Sequence, residues 1–187
     1  MIRTYKDIDG WFDYEKIYDN QVNLLKDGDV IVEVGCWLGK SSCYLGKKIK
    51  DSGKKIKLFC VDIWDYVDDD PYYHPFKNKY PDLLSIFNTH VNQLGLSEYI
   101  FPIQGASVNV AQTFHLESVD FIFLDGNHNA PYINDDLTMW YPILKNGGFI
   151  AGHDYQDSVD VQKAVNSFFD DKFIIDGSCW IHQKQKS

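Results

Sequence analysis

Short apolar runs alternate with stretches of helical spacing along most of this chain. Val30-Ile31-Val32-Glu33-Val34 is almost wholly apolar, the pattern of a strand buried on both faces. Ser41 to Ile49 is helix-like and stops at Asp51-Ser52-Gly53, and Ile56 to Val61 reads as a second strand. Leu83 to Leu94 predicts a helix closed by Gly95, Tyr99 to Ile103 a third strand, Val108 to Phe114 a short helix and Val119 to Leu124 a fourth strand. Ile133 to Leu144 predicts a helix ending at Asn146-Gly147-Gly148, Phe149 to Ala151 the start of a fifth strand, and Val159 to Phe169 another helix. Lys172 to Ile175 and Ser178 to His182 make a closing strand pair, with Asp176-Gly177 as the hairpin signal. Ahead of all this, the segment to about Lys26 carries Trp11, Phe12, Tyr14, Ile17, Tyr18 and Val22 and reads as one or two short helices packed onto the domain.

Strand–helix alternation implies parallel strands joined by right-handed crossovers, and the closing hairpin adds an antiparallel strand. The expected fold is α/β and Rossmann-like: a mostly parallel seven-stranded sheet, helices on both faces, and a C-terminal antiparallel hairpin. With 187 residues and neither repeat nor linker, residues 1–187 form a single domain. In open sheets of this kind ligands sit outside the carboxyl ends of the strands, so the residues that follow each strand are the informative ones.

After the first strand comes Glu33-Val34-Gly35-Cys36-Trp37-Leu38-Gly39-Lys40-Ser41. Its glycines let the backbone turn tightly and approach a ligand, and the next helix offers free N–H groups to a carboxylate or phosphate. The P-loop pattern G-x-x-x-x-G-K-[ST] is one residue longer than this stretch, and the dinucleotide fingerprint G-x-G-x-x-G is missing. Asp62 follows the second strand, where a carboxylate can accept both hydroxyls of a ribose; together with the glycine loop it favours an adenosine ligand. Gln104-Gly105-Ala106-Ser107 follows the third strand: small residues leave room for a flat base, and Ser107 either caps the next helix or bonds to adenine. Asp125-Gly126-Asn127-His128 and Gly152-His153-Asp154 follow the fourth and fifth strands. Asp125, His128, His153 and Asp154 thus converge on one rim, able to hold a divalent cation or supply a general base.

Composition narrows the partners. A formal net charge of -9 argues against broad phosphate-backbone binding, and the cluster Lys47, Lys48, Lys50, Lys54, Lys55 and Lys57 reads as a solvated helix face and turn. No apolar run is long enough to cross a bilayer, and Met1 to Asp7 lacks the apolar stretch of a signal peptide. Cys36, Cys43, Cys60 and Cys179 form no C-x-x-C pair and fit buried reduced thiols of a cytoplasmic protein.

The motifs taken in order resemble a known group. Glu33 through Ser41 is similar to the first motif of the catechol O-methyltransferase-like group, and Gly105-Ala106-Ser107 resembles its adenine-side motif. Val119 through Tyr155 resembles methyltransferase family 24, which is related to macrocin-type sugar O-methyltransferases. There it carries Asp125-Gly126-Asn127-His128, Asp135-Asp136-Leu137, Trp140, Pro142, Leu144, Gly147-Gly148 and Gly152-His153-Asp154-Tyr155. The resemblance spans roughly Val30 to Phe169 and implies a class I methyltransferase that uses S-adenosyl-L-methionine. It implies that Glu33, Gly35, Trp37 and Ser41, with Gly39 of the same loop, line the methionine end of the cofactor. Asp62 would hold the ribose, and Gly105, Ala106 and Ser107 would edge the adenine. Asp125 matches the first metal-ligand position of metal-dependent relatives, and His128 stands where catechol-type enzymes place a lysine base. His153-Asp154 replaces the usual Asp-Asp or Asp-Asn pair, which suits Zn²⁺, Mn²⁺ or Fe²⁺ better than Mg²⁺.

The expected reaction is therefore methyl transfer to a hydroxyl of a small acceptor such as a sugar. His128 or His153 is the candidate base; Asp125, His153 and Asp154 are the candidate ligands of a divalent metal ion. The expected partner is a small-molecule acceptor rather than nucleic acid or membrane, and homo-oligomerisation stays open. Residues 63–80, rich in rings and acids, form an insert suited to a lid, an acceptor pocket or an oligomer contact. Two other readings remain: a nucleotide-dependent oxidoreductase on the same sheet, and a cofactor-binding module without catalysis.

Overall fold

The computed structural model describes residues 1–66 and 74–185. A capped 3-10 turn at Tyr5–Asp7 precedes helix α1 (Glu15–Leu24). Then come β1 (Val30–Val34), α2 (Lys40–Ser52), β2 (Lys57–Asp62), α3 (His74–Lys79), α4 (Leu83–Gln93) and β3 (Ile100–Gln104). The chain continues with α5 (Ser107–Ala111), β4 (Val119–Leu124), α6 (Tyr132–Trp140), β5 (Leu144–Gly152), α7 (Val159–Phe169), β6 (Ile174–Asp176) and β7 (Cys179–Gln183). The strands form one seven-stranded sheet in the order β3-β2-β1-β4-β5-β7-β6. β1 to β5 run parallel, and β7 lies antiparallel between β5 and β6. This is the expected Rossmann-like layout, including the closing hairpin.

Strand alternation divides the core between the two faces. Ile31, Leu58, Phe121 and Phe123 pack with Ile17 and Tyr18 of α1, Leu45 and Ile49 of α2, and Phe87 of α4. Val32, Ile122, Leu124 and Ile150 pack with Val110 of α5, Leu137 and Trp140 of α6, and Val161 and Val165 of α7. Both faces of the central strands are covered by helices, which is why their sequences run almost uninterruptedly apolar.

One expected boundary moves. The helix predicted over Ile133–Leu144 ends at Trp140, a 3-10 turn covers Tyr141–Ile143, and Leu144 already opens β5. Pro142 has no N–H for a helical bond and disfavours the α conformation in the residue before it. Gly147-Gly148, expected as a helix stop, lies within β5 opposite a register shift between Val119 and Phe121. A Cβ on Gly148 would stand 2.8 Å from the Asp120 carbonyl oxygen, so glycine is required by the close approach of β4. Lys145 adds a bridge to both Asp120 oxygens at 2.8 Å, and Asp120 in turn accepts the Val30 N–H at 2.9 Å.

The lysine cluster is largely tied into the fold. Lys48 pairs with Asp19 at 3.0 Å, Lys47 with Asp51, and Lys50 donates to the Gly95 carbonyl at 3.0 Å. The Lys54 ammonium donates to the carbonyls of Val22 at 2.6 Å, Asn23 at 3.1 Å and Leu25 at 2.7 Å. It thereby caps the C-terminus of α1, where carbonyls lack helical partners and a cation is favoured by the helix dipole. The four cysteines are free and buried, and burial pushes each thiol up, as expected of inert core thiols. No helix among the described residues is long and apolar enough to cross a membrane. Replacing Lys54→Met is expected to lower stability by about 1.5–3 kcal/mol, the range for hydrogen bonds to a charged group, read as a lower urea midpoint at unchanged slope.

Candidate active site

The loop from Gly35 to Gly39 joins β1 to α2 at the carboxyl edge of the sheet. Gly35 has φ +85° and Gly39 φ +87°, values that L side chains rarely adopt. A Cβ on Gly35 would lie 2.0 Å from the Asp125 carbonyl oxygen, and one on Gly39 2.8 Å from the Phe87 ring. Both glycines therefore answer to neighbours inside the protein, whatever ligand the loop also meets. α2 begins without a side-chain cap, so the first-turn N–H groups of Lys40, Ser41 and Ser42 lack helical partners.

Asp62 stands beside this loop at the end of β2. Its Oδ2 accepts the N–H groups of Cys36 at 2.7 Å and Trp37 at 2.8 Å, and its Oδ1 accepts that of Trp64 at 2.7 Å. The Trp64 indole N–H donates to the Trp37 carbonyl at 2.8 Å. Trp37 and Trp64 both hold positive φ, 47° and 44°, rare for bulky residues and costing roughly 1–3 kcal/mol each. The carboxylate and the indole hold that strain in place. Asp62 is thus at the expected position, and in this conformation it fastens the glycine loop.

The described part of the 63–80 insert returns to the same place. The Trp37 ring meets Phe76 at 5.4 Å, Tyr66 at 6.1 Å and Trp11 at 6.2 Å between centroids, all edge-on. Residues 67–73, with the acidic triplet Asp68-Asp69-Asp70, lie outside the described residues.

Three predicted cofactor residues are engaged by neighbours inside the protein or buried there. Glu33 is 0% exposed; it accepts the Tyr18 hydroxyl at 2.8 Å and the Ser42 hydroxyl on its other oxygen. On β1 it shares the face of Ile31, so the two-residue period turns it under α1 and α2 rather than into the cleft. Burial pushes its carboxyl up, and the hydroxyl donors oppose that push. Ser41 is also buried, beneath the first turn of α2. Ser107 neither caps α5 nor lies free for a base: Ala106 is the cap residue, and the Ser107 hydroxyl accepts the Trp140 indole N–H at 2.8 Å. Gly105 and Ala106 remain at the end of β3, where the Gly105 N–H donates to the Asp62 carbonyl at 2.9 Å.

The end of β4 and the end of β5 meet as expected. His128 Nε2 lies 2.9 Å from Asp154 Oδ2 and 3.6 Å from Asp125 Oδ1. That nitrogen is sealed from solvent and faces both carboxylates. His153 is placed otherwise. Its Nδ1 lies 3.0 Å from Asp154 Oδ2 and 3.9 Å from Asp125 Oδ1, while its Nε2 faces Asp13 Oδ1 at 3.0 Å. At this rim Asp125, His128 and Asp154 each bring a ligand atom within 4.8 Å of the others. Of the expected ligand set Asp125, His153 and Asp154, His153 also keeps Nδ1 toward the two carboxylates while Asp13 holds its Nε2.

Burial lowers the His128 imidazole, but Asp125 and Asp154 outweigh it and raise the group to about 10. His153 likewise loses to burial and gains more from Asp154, Asp125 and Asp13, reaching about 9. Burial raises the Asp154 carboxyl, and its contacts with both imidazoles reverse that and hold it well below the carboxylate range. A lone pair and two carboxylates that together hold proton charge so strongly also form a donor set for a divalent cation.

Asp13 and Tyr14 belong to this site although the sequence reading placed them in a helical packing segment. The Tyr14 hydroxyl donates to Asp125 Oδ2 at 2.8 Å. Their only sequence signal is an acid beside aromatics in an apolar segment, and no periodicity links residues 111 and 140 positions apart.

A family described as a methyltransferase domain, methyltransferase family 24, matches residues 32–155. Over 85 residues the chain is 32% identical to an uncharacterised protein of Acanthamoeba polyphaga mimivirus, covering 44% of this chain and 35% of that protein, so it spans about a third of that relative's length. The O-methyltransferase NovP superposes with a TM-score of 0.71 at 19% identity over 92% of this chain and 78% of NovP. An S-adenosylmethionine-dependent O-methyltransferase from Thermotoga maritima gives 0.63 at 16% identity, over 96% of this chain and 68% of that one. A candidate rRNA methylase from Clostridium thermocellum gives 0.66 at 15% identity, over 96% and 100%. At these identities the superpositions establish the fold.

Asp136 supplies a pH test of the packing behind Ser107. It is 5% exposed, and burial, moderated by the Ser107 hydroxyl and reinforced by Asp135, pushes its carboxyl up to about 6. A carboxyl raised on folding favours the protonated form. Its stabilising effect is complete below the unfolded value near 3.8 and is lost as pH rises through about 6. Asp136→Asn is expected to remove that slope, leaving the variant at least as stable as the parent at pH 8 in urea titrations across pH 4–8.

Proposed function

The chain belongs to methyltransferase family 24, and we propose that it transfers a methyl group from S-adenosyl-L-methionine to a hydroxyl of a small acceptor. The observation that carries this reading is one continuous carboxyl edge. The uncapped start of α2, Asp62 and Gly105-Ala106 end at one side of it, and Asp125, His128, His153 and Asp154 at the other. The free N–H groups of α2 suit the cofactor carboxylate. Asp62 suits the ribose hydroxyls once it exchanges one of its three backbone donors for them. The aromatic wall of Trp37, Tyr66 and Phe76 suits a lid that keeps water from the reacting centre.

The cofactor supplies an electrophilic methyl and leaves as a neutral thioether, so the protein's task is to hold both reactants in line and remove one proton. Asp125, His128 and Asp154 fit a divalent cation: two carboxylate oxygens and one solvent-sealed imidazole nitrogen converge on one point. A cation there would lower the pKa of the acceptor hydroxyl. With His128 so engaged, His153 is the remaining imidazole to take the proton; it does so in its neutral form, which a cation beside it would favour. A sugar is the acceptor class favoured by the sequence resemblance, and aromatic rings beside carboxylates suit its flat faces and hydroxyls.

Calorimetric titration of metal-stripped protein with S-adenosylhomocysteine, alone and with Mg²⁺, Mn²⁺ or Zn²⁺, tests this. Binding of the product is expected, with Mn²⁺ or Zn²⁺ binding more tightly than Mg²⁺. Asp125→Ala and His128→Ala are expected to abolish the metal heat and methyl transfer while leaving the affinity for S-adenosylhomocysteine within about threefold, less than 1 kcal/mol. A folded protein that binds no S-adenosylhomocysteine under any condition sinks the proposal.

A further inference from the structure

The stretch between the first turn and α1 runs without regular structure from Asp9 to Tyr14 and crosses the site. It is anchored at three walls. The Asp9 carboxylate accepts the Tyr80 hydroxyl and pairs with Lys79 of α3. The Gly10 carbonyl accepts from Lys40 Nζ at 2.9 Å, on the first turn of α2. Asp13 and Tyr14 reach the rim. The Tyr14 ring is 5% exposed and stacks on Phe123 with centroids 4.5 Å apart, which fixes where its hydroxyl points.

That hydroxyl divides the work of the Asp125 carboxylate. Oδ2 is fastened to Tyr14 at 2.8 Å, and Oδ1 is the oxygen left facing His128 Nε2 at 3.6 Å and His153 Nδ1 at 3.9 Å. Asp13 does the same for a neighbour, holding His153 through Nε2 so that Nδ1 faces inward. We infer that Tyr14 is a positioning residue for the cation site: it orients Asp125 so that one oxygen is presented to the cation, and thereby makes the 9–14 strap part of that site. The inference rests on the reading of Asp125, His128 and Asp154 as cation ligands. Partners that orient a metal-binding carboxylate are worth roughly 10- to 100-fold in metal affinity. Because coupling is reciprocal, the cation must also hold the strap down.

The test is calorimetric titration of the metal-stripped full chain with Mn²⁺ alone, beside thermal unfolding. Tyr14→Phe keeps the stacked ring and removes only the hydroxyl. Tyr44→Phe is the control, since the Tyr44 hydroxyl donates to Asp19 rather than to the rim. Tyr14→Phe is expected to weaken Mn²⁺ binding about 10- to 100-fold, with Tyr44→Phe unchanged. Equal affinity in a folded Tyr14→Phe protein overturns the assignment of Tyr14. A parent protein that binds no Mn²⁺ removes the cation reading itself, a different and separable failure. If Tyr14→Phe does not fold, hydrogen exchange of the parent decides. Amides of residues 9–14 are expected to exchange more slowly with Mn²⁺, and unchanged exchange there overturns the coupling.

Discussion

The contact on which this site depends is between two pieces of backbone. β1 and β4 lie side by side, and their ends are joined by the Asp125 N–H donating to Val34 at 2.8 Å. A side chain at Gly35 would penetrate the Asp125 carbonyl, so only glycine lets the loop after β1 fold against the residue after β4. The same contact brings the proposed cofactor loop against the proposed cation ligand. Methyl transfer needs its two reactants within van der Waals reach of each other, and a scaffold that packs their binding loops backbone to backbone delivers that without moving parts.

Around this contact each carboxylate has a different environment. Glu33 is enclosed and satisfied by hydroxyls, which makes it a brace beneath α2. Asp62 is satisfied by backbone N–H groups and holds a strained loop. Asp125 and Asp154 face imidazoles, and Asp125 also accepts the Tyr14 hydroxyl. The last arrangement suits a cation, because imidazole protons can leave whereas amide protons cannot.

The strap and the insert give the site its cover. Both reach it from the same side, through Trp11, Tyr66 and Phe76 around Trp37, and they are tied to each other through Asp9, Lys79 and Tyr80.

Local pattern alone settled much of this protein. The strand–helix order, the closing hairpin and the convergence of Asp125, His128, His153 and Asp154 follow from hydrophobic periodicity and from the rule that ligands gather at strand ends. The inward turn of Glu33 went unread, although a two-residue period puts it on the face of Ile31. Pro142 carried the signal for the early end of α6, against the helical spacing that ran on to Leu144. What only the tertiary structure decided is where side chains distant in sequence meet. Ser107 is engaged by Trp140, His153 is turned toward Asp13, and Tyr14 reaches Asp125 across 111 positions. Periodicity reports which face a residue takes, not which neighbour it finds there. A hydrogen bond depends on a few ångströms and a narrow angle, and those are set by the packing of the whole sheet.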